Sequence, residues 1–295
     1  MKRLSFCIVD VFAEEKYAGN QLAVVRNAQT LSSDEMQKIA KEMHFSETTF
    51  ILSDRQRDGG YDVRIFTPEN ELPFACHPTL GTAYVIQQEI VKENIDTIIL
   101  NLKIGQIPVT FSYRGKNADI LWMRQISPTF GKIFDAGLVA EALSLSRSEI
   151  DSRFPIQEVS TGVPFIIVPL KTLAAVKRAR TSRKEYLVLI QNTQAQSILV
   201  FCPETYNKEN DLNVRVFVEE YGIPEDPATG SANGCLAGYL VKHRYYRKDS
   251  IDIRVEQGYE IGRPSLLLLK AEVKEKKIDV WVGGKVVMVA RGKLV

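Results

Sequence analysis

A four-residue string occurs twice in this chain, as Val63-Arg64-Ile65-Phe66 and, at a spacing of 151, as Val214-Arg215-Val216-Phe217; Pro73 and Pro224 repeat that spacing. Beyond each proline, small and turn-forming residues run into an apolar segment. Phe74-Ala75-Cys76-His77-Pro78-Thr79-Leu80-Gly81-Thr82-Ala83 leads into Tyr84-Val85-Ile86, and Pro224-Glu225-Asp226-Pro227-Ala228-Thr229-Gly230-Ser231-Ala232-Asn233-Gly234 leads into residues 235–241. A weaker echo pairs residues 19–25 with residues 162–168 at a spacing of 143. The common order is strand, loop, proline, buried helix start, and its repetition reads as an ancient duplication with two helix N-termini facing one cleft. The alternative is chance likeness between two common strand-turn-helix units. Each helix start offers backbone N–H groups without intrahelical partners and the positive end of the macrodipole, so a small loop there makes an anion seat.

The 295 residues are enough for two domains, and 45% hydrophobic content can build a core in each. A net charge of +2 creates no general field for nucleic acid or an anionic membrane. The basic start meets Asp10 before a signal-peptide core can form, and no segment is long and apolar enough to span a bilayer, so the expected location is cytoplasmic. Cys7, Cys76, Cys202 and Cys235 form no Cys-x-x-Cys pair, and His44, His77 and His243 add no metal-site spacing; no metal is expected. Dinucleotide, P-loop, zincin and nucleophile-elbow motifs are absent.

Along the chain, residues 5–11 and 21–25 read as strands, and Ser32 with Glu35 forms a capping box ahead of Met36, Ile39, Ala40 and Met43 at helical spacing. Residues 45–52 read as a strand in which Glu47 shares a face with Phe45, Thr49 and Ile51. A carboxylate on an apolar face has its charged form disfavoured, which moves its pKa toward the range of a general acid or base; the alternative is an edge strand whose face is wet. Strands follow at 61–66, 97–102, 106–113 and 120–123, with a turn signal at 114–117, and the region around residues 127–129 reads as the crossing into the second half. That half repeats the mixture, with many strands and few long helices, which argues α+β over a doubly wound parallel sheet. The expected domains are residues 1–126, completed by 284–295, and residues 127–283. A basic cluster, Lys177-Arg178-Ala179-Arg180 with Arg183-Lys184, reads as a solvated face; phosphate or nucleic-acid binding is the other reading.

Six ordered motifs, Asp10-Val11-Phe12, Gly19-Asn20, Phe45-Ser46-Glu47-Thr48, Leu72-Pro73-Phe74-Ala75-Cys76-His77-Pro78-Thr79, Ser160-Thr161-Gly162 and Asp226-Pro227-Ala228-Thr229-Gly230-Ser231-Ala232, resemble the PhzF-like, phenazine-biosynthesis isomerase family over nearly the whole chain. That family sits with diaminopimelate epimerase and proline racemase. The resemblance implies two similar domains, each a barrel-like, mostly antiparallel sheet around a central helix, with the active site in the cleft between them. It implies that Glu47 moves a proton between carbons of a small carboxylate-bearing substrate without a cofactor. His77 and Asp226 join it as catalytic groups, and Asn20, Ser46, Cys76, Gly230 and Ser231 hold substrate. Opposed helix N-termini suit this chemistry, because they stabilise the enolate-like charge left when a carbon gives up its proton. Taken alone, His77 could be a turn-stabilising residue and Asp226 an N-cap or Asx turn.

Cysteine racemases of that superfamily carry one thiol in each helix-opening loop; the repeat spacing sets Ala75 opposite Asp226 at those places, which disfavours two-thiol racemisation. Relatives commonly carry glycine where this chain has Cys76, so the loop differs slightly or the pocket is smaller. Cys235 reads as core. A homodimer is expected, with no nucleic-acid or membrane partner. A family member that binds small molecules without catalysis is the competing function.

Overall fold

The computed structural model describes residues 4–115, 117–191, 193–219, 223–275 and 277–295; residues 1–3 of the basic start and Lys116 of the expected 114–117 turn lie outside them. The elements, in chain order, are β1 (Leu4–Val11), β2 (Asn20–Arg26), α1 (Ser33–Met43), β3 (Glu47–Ile51), β4 (Tyr61–Phe66), β5 (Glu71–Leu72), α2 (Cys76–Ile86), β6 (Thr97–Leu102), β7 (Gly105–Arg114) and β8 (Asn117–Arg124). They continue as β9 (Thr129–Ile133), α3 (Ala136–Ala142), β10 (Gln157–Ser160), β11 (Pro164–Pro169), α4 (Leu173–Arg178), α5 (Arg183–Ile190), β12 (Ile198–Cys202), β13 (Leu212–Val218) and β14 (Ile223–Asp226). The last are α6 (Gly230–Lys242), β15 (Ser250–Gln257), β16 (Ser265–Lys274), β17 (Lys277–Gly284) and β18 (Val286–Leu294). Two compact units emerge, Met1–Met123 with Gly283–Val295, and Arg124–Val282.

In the first unit the strands pair in the order β18, β1, β2, β3, β4, β6, β7, β8, antiparallel except at β2–β3 and β4–β6. The second unit pairs β9, β10, β11, β12, β13, β15, β16, with parallel steps at β11–β12 and β13–β15. The parallel steps fall at corresponding places, so the sequence repeat is a repeat of topology. Each sheet packs around one helix. All of α2 except Tyr84 is buried, as is all of α6 except Ser231 and Lys242. A helix apolar on every side needs protein on every side. Accordingly α2 lies against β1, β2, β3, β6, β7 and β18, and α6 against β10, β11, β15 and β16. Gly81 makes the approach possible in the first unit, since a Cβ there would sit 2.6 Å from Leu22 Cδ2 and 2.9 Å from Val11 Cγ2. The fold is α+β, as its strand-rich pattern predicts.

The register of the repeat needs a correction. Phe66 faces Glu71 across β4–β5, five residues on, whereas Phe217 faces Glu225 across β13–β14, eight residues on. The second hairpin is longer by three residues, so the spacing of 151 holds only up to it and becomes 154 beyond. Pro73 therefore corresponds to Pro227 rather than Pro224, Leu72 to Asp226, and the N-caps are Ala75 and Thr229. Two hydrogen-bond features carry the same shift. Arg64 binds Glu71 as Arg215 binds Glu225, and Thr79 Oγ1 donates to the Ala75 carbonyl where Asn233 Nδ2 donates to that of Thr229. Residues 224–226, read as the start of a tight loop, close strand β14 (Ile223–Asp226).

The α1 capping box forms as expected, with Ser32 accepting from the Glu35 backbone and Glu35 from that of Ser32. The strand expected at 45–52 is shorter, and from Thr48 onward β3 is buried on both faces. Thr49 bonds Thr82 of α2 at 2.8 Å, while Phe50 meets Phe66 edge-on at 5.4 Å in a cluster with Met36 and Ala40 of α1. From Thr48 to Ile51 neither side of this strand is wet. Strand β9 has no counterpart in the sequence reading because its residues, Thr-Phe-Gly-Lys-Ile, are nearly all exposed and show no apolar alternation. Among the described residues, no helix is long and apolar enough to cross a membrane.

Candidate active site

In the first unit, β2, β3 and α2 bring Asn20, Glu47 and His77 together. Glu47 opens β3 and lies on the same face as Thr49, two residues along, or about 6.6 Å of strand. Thr49 touches Thr82, which lies five residues, about 7.5 Å, beyond His77 on α2. Strand and helix thus run side by side with nearly matched rises, and Glu47 falls at the start of the helix. Its Oε2 lies 3.2 Å from His77 Nε2, with the two side chains 14% and 7% exposed. On the far side of the ring, Asn20 Nδ2 lies 3.4 Å from Nδ1. Ser46 precedes β3 and is half-buried.

Burial pushes the His77 imidazole down to about 3, against a smaller opposing effect of its hydrogen bond to the Gln21 backbone. The ring is therefore neutral at physiological pH and carries one proton. With Asn20 donating to Nδ1, that proton sits on Nε2 and faces the Glu47 carboxylate. With the proton on Nδ1 instead, Nε2 presents its lone pair on the side where Glu47 Oε2 lies.

A depressed histidine has a definite effect on stability. In the unfolded chain the ring takes up a proton near its ordinary value of 6.5, while in the folded chain it does so only near 3. Stability from this group is complete above pH 6.5 and declines as pH falls through the window between those values, by up to about 1.4 kcal/mol per unit. We expect the His77 ring resonances to stay constant from pH 8 to pH 5 in an NMR titration. Urea unfolding of His77→Asn should show a shallower acid decline than wild type.

In the second unit, Asp226 ends β14 and Thr229 caps α6, followed by Gly230 and by Ser231, which is half-buried. Thr229 does not use its hydroxyl to cap the helix; it donates to Asp226 Oδ2 instead. Ala75 has no side chain able to cap α2. Both central helices thus begin without a side-chain cap, with Cys76-His77 in one first turn and Gly230-Ser231 in the other. Gly258 lies beneath the second loop at φ +79, where a Cβ would fall 2.3 Å from the Arg263 carbonyl oxygen and 2.5 Å from that of Pro227. Gly258→Ala should cost about 2 to 4 kcal/mol in thermal or urea unfolding, because both atoms it strikes are backbone.

Sequence motifs missed the residues that hold this loop. Gln257, Asn233 and Ser265 all bond to residues 226–229, and of these Gln257 and Ser265 come from strands far along the chain. Cys76 is the first residue of α2 and is buried; its φ is not positive, so the position does not call on glycine's backbone freedom. Neither N-cap is a cysteine. Cys235 is fully buried, contacts Thr161 Oγ1 and the Val163 carbonyl, and is pushed up to about 12 by burial, an inert core thiol. The first half of the basic cluster is engaged locally: Arg178 pairs with Glu149, Arg180 donates to the Lys177 and Ala179 carbonyls, and Lys177 lies 4.1 Å from the Tyr206 ring centroid.

Comparison with known proteins agrees with this architecture. The family described as phenazine biosynthesis-like protein, PhzC-PhzF, matches residues 9–292. Trans-2,3-dihydro-3-hydroxyanthranilate isomerase of Pseudomonas aeruginosa is 34% identical over 98% of each chain. An uncharacterized isomerase of Clostridium acetobutylicum is 32% identical over 97% of this chain and 96% of its own. The crystal structure of a PhzF-family phenazine biosynthesis protein of Bacillus anthracis superposes with a TM-score of 0.91 over 100% of both chains at 27% identity. The chain belongs to the PhzF-like family, within the diaminopimelate epimerase-like superfamily of isomerases and epimerases.

Proposed function

We propose that the protein is a cofactor-independent isomerase that moves a carbon-bound proton on a small carboxylate-bearing substrate, with Glu47 as its single acid/base. The observation that carries this reading is the buried contact between Glu47 Oε2 and His77 Nε2 at the start of an uncapped helix. In the first step the substrate C–H bond breaks, the proton passes to the Glu47 carboxylate, and the electron pair delocalises toward the substrate carboxylate. In the second, Glu47 returns a proton to carbon and the double bond re-forms; no oxidant or reductant takes part. The developing negative charge is met by N–H groups and dipole at the start of α2, where Glu47 and His77 lie. Asn20 and neutral His77 hold Glu47 in place, and Asp226, Ser46 and Ser231 recognise amino or hydroxyl groups of the substrate, with Cys76 and Gly230 supplying backbone N–H groups.

Relatives 34% identical act on trans-2,3-dihydro-3-hydroxyanthranilate, which makes that compound the first to assay, followed by other amino and hydroxy carboxylates. Conversion should proceed at full rate in EDTA with no nicotinamide, flavin or pyridoxal phosphate added. A strict requirement for any of these, or for a metal, overturns the proposal.

A further inference from the structure

We propose that Gln257 is a positioning residue for the reaction, orienting the Asp226 carboxylate through the hydroxyl of Thr229. The inference rests on the reading above, in which Asp226 meets the substrate. Gln257 closes β15, is fully buried, and spends both ends of its amide on the Asp226–Thr229 loop and the start of α6. Its Nε2 donates to the Asp226 carbonyl at 2.8 Å and to Thr229 Oγ1 at 3.1 Å. Its Oε1 accepts from Thr229 N at 3.2 Å and from Asn233 Nδ2 at 2.9 Å. A hydroxyl has one proton. Because Gln257 occupies a lone pair of Thr229 Oγ1 as a donor, the hydroxyl proton turns away from it and toward Asp226 Oδ2, which it meets. The carboxylate is held from below by a directed donor, and the loop backbone is fixed at both ends.

The duplication supplies an internal control. Tyr61 and Asp62 of β4 pair in parallel with Leu100 and Asn101 of β6, as Leu212 and Asn213 of β13 pair with Val255 and Glu256 of β15. The next position is Leu102 in the first unit and Gln257 in the second. The first unit has Leu72 where the second has Asp226. The amide thus occurs in the unit whose loop carries a carboxylate, and a leucine in the unit whose loop does not. A packing role alone gives no reason for that difference, since the fold holds a buried leucine at this place.

The test compares wild type, Gln257→Leu, Thr229→Val, Thr229→Ser, the Gln257→Leu/Thr229→Val double variant and Asp226→Asn, assayed on trans-2,3-dihydro-3-hydroxyanthranilate. Each of the two apolar single variants should lower kcat roughly 30-fold with KM within about threefold. The double variant should lose no more than the worse single, because the two side chains act in series, and Thr229→Ser should recover most of the loss. The proposal is overturned if Gln257→Leu keeps kcat within about threefold of wild type, or if the losses multiply. Loss in Asp226→Asn with full activity in Gln257→Leu defeats this inference and leaves the function intact, whereas full activity in Asp226→Asn defeats the assigned role of Asp226. Amide hydrogen exchange decides the clamp without turnover: Thr229 N–H should exchange at least about 30-fold faster in Gln257→Leu, and an unchanged rate overturns it.

Discussion

Replacing Glu47 by glutamine should lower kcat by about three orders of magnitude on any substrate the wild type converts, with KM changed only a few-fold. Glutamine has nearly the same shape, keeps an oxygen near His77 Nε2, and occupies the same opening position of β3, so binding and folding survive. What it lacks is a group able to take a proton and return it. His77 does not substitute, because burial holds its imidazole neutral and a poor base down to about pH 3. Steady-state kinetics with a parallel thermal melt separates the effects, and a variant retaining a tenth of wild-type kcat shows that Glu47 is not the proton carrier. Glu47→Asp, with its carboxylate drawn back by one methylene from the 3.2 Å contact, should fall between the two.

The largest stability effect is expected at Arg215–Glu225. Both side chains are 4% exposed and the pair is bidentate, at 3.0 and 2.7 Å, while Arg215 Nη1 donates to the Val176 and Ala179 carbonyls at 2.9 and 2.8 Å. Glu225→Ala leaves a buried guanidinium with carbonyls and the more distant Glu260, 4.0 Å away, to balance it. The cost should be about 3 to 5 kcal/mol. Glu225 and Asp226 are consecutive on β14 and point to opposite faces, so the ion pair also anchors the strand that presents Asp226. The equivalent pair in the first unit, Arg64–Glu71, is 24% and 15% exposed, and Glu71 also takes Lys103. Glu71→Ala should cost about 1 kcal/mol, and urea unfolding of the two variants side by side measures the contrast. Equal losses would show that burial does not set the worth of these pairs.

The repeat itself was legible because Val63-Arg64-Ile65-Phe66 and its copy are strand cores, in which residue type is dictated by burial and pairing. Its register was not, because a hairpin three residues longer moves everything beyond it, and Pro224 happens to stand where the shorter spacing puts a proline. The Glu71 and Glu225 pairings, the N-caps Ala75 and Thr229, and the Thr79 and Asn233 bonds one helical turn past each N-cap reveal the change. Glu47 could be picked out as a carboxylate in an apolar strand, yet its contact with His77 depends on α2 running alongside β3. Gln257 had no local signal. It follows Thr229 by 28 residues and becomes relevant because β15 returns beside β13, a pairing that no short motif encodes.

Proton transfer at one carbon, without a cofactor, is tested most directly by following trans-2,3-dihydro-3-hydroxyanthranilate in D₂O by proton NMR, with wild type and Glu47→Gln at equal concentration. The account predicts deuterium at a single carbon with wild type and none with Glu47→Gln over the same period. Incorporation at the same rate with both proteins contradicts it.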